Sequence, residues 1–118
     1  SNSPYPEPLQ NSLKASSELP QVLAELEMIL GQFPGELIQF RIGEINSANL
    51  LENVTMELTL RGTTSQILAL LQELEIFPHC LMISALKSSD NEEYEPRFEL
   101  TLEQYYYNSD LLQPGFTN

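Results

Sequence analysis

The sequence predicts an α+β fold: a four-stranded antiparallel sheet with two helices on one face, in the order α-β-β-α-β-β. Three observations lead there. Two segments carry apolar residues every three or four positions, which draws one buried stripe along a helix. Four others read as strands. The first, second and fourth alternate apolar with polar residues, which is how a strand buries one face, while the third is apolar enough to leave its buried face ambiguous. The helix–strand–strand unit occurs twice, so two hairpins can close into one sheet covered on a single side.

The first helix is expected from about Ser17 to Phe33, with Leu19, Val22, Leu23, Leu26, Ile29, Leu30 and Phe33 on its buried stripe. Pro20 fits the first turn, where a missing amide proton costs nothing, and Pro34-Gly35 ends the helix. In the first strand Ile38, Phe40 and Ile42 alternate with Gln39, Arg41 and Gly43. A turn rich in Asn46, Ser47 and Asn49 follows. The second strand then sets Val54, Met56, Leu58 and Leu60 against Thr55, Glu57, Thr59 and Arg61. Thr63 and Gln66 form the Thr-x-x-Gln pattern of a capping box opening the second helix, about Thr64 to Phe77. That helix buries Ile67, Leu70, Leu71, Leu74 and Phe77, and Pro78 closes it.

The third strand runs from about Cys80 to Lys87, and a polar loop from Ser88 to Glu93 turns the chain. The fourth, about Arg97 to Tyr107, buries Phe98, Leu100 and Leu102. Strict alternation makes the second and fourth strands the central pair, with the first and third at the edges. Taken together this is a ferredoxin-like two-layer sandwich in circularly permuted order. Residues 1–16, with Pro4, Pro6 and Pro8 among Ser and Asn, read as an extended linker or tail. Residues 108–118, with Pro114-Gly115, read as a second tail, leaving 17–107 as the folded interaction domain.

Composition narrows function. The 118 residues are 42% hydrophobic, enough for one core and too little for two domains. Seventeen acidic residues against five basic ones give a net charge of −12. Nucleic acid and anionic lipid headgroups both need clustered cations, whereas Lys14, Arg41, Arg61, Lys87 and Arg97 are scattered. A single cysteine, Cys80, permits no internal disulfide. No apolar run reaches the roughly 18 residues needed to span a bilayer. The opening Ser1-Asn2-Ser3 reads as a scar of tag cleavage on an excised fragment, with a natural processed terminus as the alternative.

The inventory for catalysis is thin. His79 and Cys80 are adjacent, and neighbours in a strand point to opposite faces, so they read as structural. They also supply only two of the four ligands a structural zinc needs. Asp90, Glu92, Glu93 and Glu95 lack the spacing of a calcium loop and read as a solvated hairpin tip. Glu25 with Glu27, and Glu73 with Glu75, are two apart on helices and share no face. Asn53-Val54-Thr55 matches a glycosylation sequon but falls in a central strand. No glycine-rich phosphate loop occurs. No cofactor or metal is expected.

Protein binding has better candidates. Tyr106 continues the buried phase of Phe98, Leu100 and Leu102, which leaves Tyr105 and Tyr107 on the open sheet face as interface anchors. The first strand is the second candidate. As an edge it offers unpaired backbone groups, with Phe40 and Ile42 along it.

Met56, Leu58, Leu60, Gly62, Ile67, Leu70, Leu71, Leu74 and Phe77 form a strand, a terminal glycine, and a helix with paired leucines and a late aromatic. A hairpin through Leu81-Met82-Ile83-Ser84 and Phe98-Glu99-Leu100-Thr101-Leu102 completes the pattern. Over roughly residues 19–107 this resembles the PilO family of type IV pilus assembly proteins, and it is similar to the GspM family of type II secretion. The resemblance implies a non-catalytic scaffold in the periplasmic part of a bacterial inner-membrane protein, anchored through a segment absent from this chain. It implies a homodimer and a PilN-like heterodimer partner, with links to a pilus lipoprotein or secretin. The Pro-rich start departs from the continuous coiled coil of that family. From another class, a small-molecule-sensing domain of the ACT type would use a related sandwich and a glycine-bearing loop, for which Gly62 is the candidate.

Overall fold

The computed structural model describes residues 13–91 and 94–112. Its elements are β1 (Lys14–Ala15), α1 (Leu19–Gly31), β2 (Glu36–Ala48), β3 (Leu51–Arg61), α2 (Thr64–Glu75), β4 (Leu81–Asn91) and β5 (Tyr94–Tyr107), with 3-10 turns at Ser16–Glu18 and Ser109–Leu112. β3 and β5 lie side by side in the centre, β2 flanks β3, and β4 flanks β5. The four long strands are all antiparallel to their neighbours.

The sheet differs from expectation in having a fifth strand. Lys14 and Ala15, expected within the tail, pair in parallel with Tyr106 and Tyr107. They do so because β4 begins only opposite Gln104, which leaves the last residues of β5 with an open edge that β1 covers. The sheet is therefore mixed and five-stranded, where four antiparallel strands were expected.

Alternation sorts the side chains as anticipated. Val54, Met56, Leu58 and Leu60 of β3 and Phe98, Leu100, Leu102 and Tyr106 of β5 are buried. Against them pack Val22, Leu26 and Leu30 of α1 and Ile67, Leu70 and Leu74 of α2, forming one core with Phe77. The capping box is present with both its bonds. Gln66 N donates to Thr63 Oγ1 at 3.1 Å, and Thr63 N donates to Gln66 Oε1 at 3.0 Å. It satisfies amides that the helix itself leaves without acceptors.

Both hairpins are longer than expected. Residues 46–48, read as a turn, pair with 51–53, and the turn shrinks to Asn49-Leu50. Asn49 takes φ 57°, the left-handed region that asparagine tolerates. Side chains hold this extension. Asn46 Nδ2 donates to Asn53 Oδ1 at 3.2 Å, and Ser47 Oγ donates to Glu52 Oε2 at 3.0 Å. At the other end of the sheet β4 continues to Asn91, and β5 starts at Tyr94 in place of Arg97. Glu92 and Glu93, part of the predicted acidic tip, lie outside the described residues.

Candidate interaction surfaces

The sheet has one covered and one open face. On the open face Gln39, Arg41, Glu57, Lys87, Glu99 and Thr101 line a shallow depression of 230 Å³. The side chains are polar and mixed in sign. Arg41 pairs with Glu57 across β2 and β3. Such a surface tolerates water, and it can also meet a polar partner.

Tyr105 and Tyr107 are half-buried at one end of β5, with Tyr106 between them at 3% exposure. Tyr105 stands beside Glu103, to which its hydroxyl donates at 3.2 Å. Burial, and then Glu103, push its phenol above the ordinary range. Tyr105 therefore keeps its proton and remains a donor at neutral pH.

Phe40 and Ile42 lie elsewhere. They pair with Leu58 and Met56, which puts them on the helix side of the sheet at its β2 edge. Phe40 is partly buried against the core, while Ile42 is 50% exposed and Ile45, beyond it, is 60% exposed. The four candidate residues thus form two separate surfaces. One is the open-face tyrosine pair and the other an apolar sheet edge.

Two residues that sequence reasoning passed over hold these surfaces in place. Gln104 falls in the buried phase of β5, yet it is polar and 1% exposed. Its Nε2 donates to the carbonyls of His79, Cys80 (3.4 Å) and Tyr105 (3.2 Å). It thereby pins the segment between α2 and β4, where Cys80 adopts φ 50°. A glutamine in a buried alternation was the available signal, because such groups must find partners. Glu52 is the second. It accepts from Ser47 and from Asn108 Nδ2 at 3.1 Å, and it lies opposite Tyr106 across β3 and β5. Burial, helped by Glu52, pushes the Tyr106 phenol up to about 12.

His79 binds Glu25 of α1 through Nε2 and stacks edge-on against Phe77 at 5.1 Å. It ties the segment after α2 to α1. Among the described residues no three His, Cys, Asp or Glu side chains are grouped to hold a metal. Gly62, the glycine an ACT-type loop would use, follows β3 directly. Gly62 N donates to Pro96 O at 3.3 Å, and a side chain at Gly62 would meet Gln66 Oε1 at 2.6 Å. No described helix is long and apolar enough to cross a membrane.

No family model matches the sequence, and no curated protein matches it. Solved structures do. The type 4 fimbrial biogenesis protein PilO from Pseudomonas aeruginosa superposes with a TM-score of 0.66 at 10% identity, covering 78% of this chain and 70% of that one. The core region of PilO from the type IV pilus system of the same organism gives 0.63 at 11% identity, covering 73% of this chain and 92% of that one. An α+β sandwich that matches both structures over most of its length, without sequence identity to carry the match, has the fold of PilO.

Proposed function

We propose that this domain is a component of a type IV pilus assembly complex, acting as a non-catalytic scaffold in the periplasm of a bacterial cell. The observation that carries the reading is the fold likeness to PilO, which spans most of the chain and most of the PilO core region. Its core is a permuted ferredoxin-like sandwich, completed by the short parallel strand β1.

The surfaces suit a scaffold. A sheet covered on one face, with two long edge strands and half-exposed tyrosines, offers separate places for separate partners. In this reading the domain associates with itself and with a PilN-like partner, and Tyr105 and Tyr107 anchor the unlike partner. A net charge of −12 keeps it off nucleic acid and favours basic protein surfaces.

Cross-linking of the full-length protein in its source cells, with partners identified by mass spectrometry, tests this. A PilN-like protein, pilus lipoprotein or secretin among the cross-linked species is the expected result. Recovery only of cytosolic enzymes, or of no partner, overturns it.

A further inference from the structure

β2 is an edge strand of 13 residues, free on its outer side among the described residues. Edges of this length template pairing with another chain unless something blocks them. β2 contains two irregularities, one between the pairs Leu37–Leu60 and Gln39–Thr59, and a central one where an extra residue enters between the pairs Ile42–Met56 and Ile45–Val54. The extra residue has a consequence for self-pairing. In a regular strand, a residue before the midpoint faces a residue after it only if both lie an even number apart. One inserted residue changes that parity.

Because of the insertion, Phe40 and Ile45 both point to the helix side, opposite Leu58 and Val54. Gln39, Arg41 and Asn46 point to the open side, opposite Thr59, Glu57 and Asn53. Glu44 lines the same open-side depression as Arg41 and Asn46. Placing a two-fold axis between Ile42 and Gly43 then brings matching faces together. Phe40 of one copy meets Ile45 of the other, Gln39 meets Asn46, and Arg41 meets Glu44. Between Gln39 and Asn46 only Ile42 meets a residue of mismatched face. That residue is Gly43, which has no side chain to misdirect. The matched stretch ends at Gln39 and Asn46, because the second irregularity sets Leu37 (opposite Leu60) and Ala48 (opposite Leu51) on different faces.

We infer that β2 is a self-pairing edge, joining antiparallel to β2 of a second copy about a two-fold axis between Ile42 and Gly43. Charge complementarity favours a second copy over an unrelated strand. Arg41 and Glu44 are reciprocal across the axis, so the pair forms twice in an isologous contact. Glu44 has no ion pair within the described chain, whereas Arg41 already leans on Glu57, so the guanidinium would lie between two carboxylates. Ile42 and Ile45, at 50% and 60% exposure, supply the apolar surface to be covered. This deepens the self-association proposed above and rests on that reading for its place in the cell.

Sedimentation equilibrium of the purified chain is the test. A concentration-dependent dimer is expected, and Glu44→Arg should weaken it by about tenfold or more. Adding Arg41→Glu should restore it to within about threefold, since the reversed pair recreates the attraction. Ile45→Lys should weaken it by about tenfold as well, with circular dichroism unchanged. A chain that stays monomeric at every concentration overturns the inference. So does a dimer insensitive to these changes but lost on Leu86→Lys, on the β4 edge. A monomer that still cross-links to pilus proteins in cells would sink the self-pairing and leave the pilus reading intact. A β2-paired dimer with only enzymes as cellular partners would do the reverse.

Discussion

The two faces of β5 are built from the same strand and obey opposite rules. Under the helices, Leu100 and Leu102 are 1% and 0% exposed, and even the polar Gln104 is buried with its donors occupied. On the other side Glu99, Thr101, Glu103, Tyr105 and Tyr107 are exposed or half-exposed and carry charge, hydroxyls and phenols. The covered face is constrained by packing and by the hydrogen bonds a buried polar group needs, which Gln104 meets through Nε2 but not through Oε1. The open face is constrained by solubility and by whatever binds there. Substitutions on the covered face should therefore report on stability, and those on the open face on association.

The largest effect is expected at Leu102, at the centre of the core. Leu102→Ala should lower unfolding free energy by about 2–5 kcal/mol in chemical denaturation, from lost burial plus a cavity. A loss below about 1 kcal/mol would mean that the helices do not close over β5 as described. Next comes Gln104→Leu, which leaves the carbonyls of His79 and Cys80 without its donor. A cost of about 1–3 kcal/mol is expected, with amide exchange quickening first between Pro78 and Met82. Uniform quickening across the sheet would argue against a local pin.

A third contrast uses pH. The Tyr106 phenol is raised from 10 to about 12 in the folded chain, so the folded state favours its neutral form. The stability this gives is complete below the unfolded value of 10 and drains away as pH rises from 10 towards 12. Tyr106→Phe should flatten that decline and remove the last-ionising tyrosine from an ultraviolet titration. An unchanged titration would show that another phenol is the protected one. The smallest effect on stability is expected for Tyr105→Ser with Tyr107→Ser. The fold should survive by circular dichroism while capture of an unlike partner weakens. Unfolding would show that these rings belong to the core, and the distinction between the faces would have to be redrawn.

Much of this arrangement was legible in the chain. The alternation from Val54 to Leu60 and from Phe98 to Leu102 pointed to β3 and β5 as the central pair, since a strand packed on one face and wet on the other alternates in this way. Thr63 and Gln66 marked the start of α2 through a local bond pattern that needs no tertiary context. What escaped depends on distant partners. Asn46 and Ser47 look like loop residues until Asn53 and Glu52 stand opposite them. Lys14 and Ala15 have no strand pattern, and they pair only because β4 starts late. Tyr105 and Tyr107 were placed by alternation on the open face, while Phe40 and Ile42 were offered separately, along the edge of the first strand. Pairing register assigns those two to the helix side. Gln104 and Glu52 act through carbonyls and hydroxyls supplied by segments far away in sequence.

The hydroxyls of Ser16 and Ser109 lie 2.9 Å apart, and Ser109 N donates to Ser16 Oγ at 3.1 Å. Two segments 93 residues apart in sequence are thus held at one corner of the described fold. Segments that meet in this way can be joined by a short linker, so the order of the elements could be permuted without disturbing the sheet.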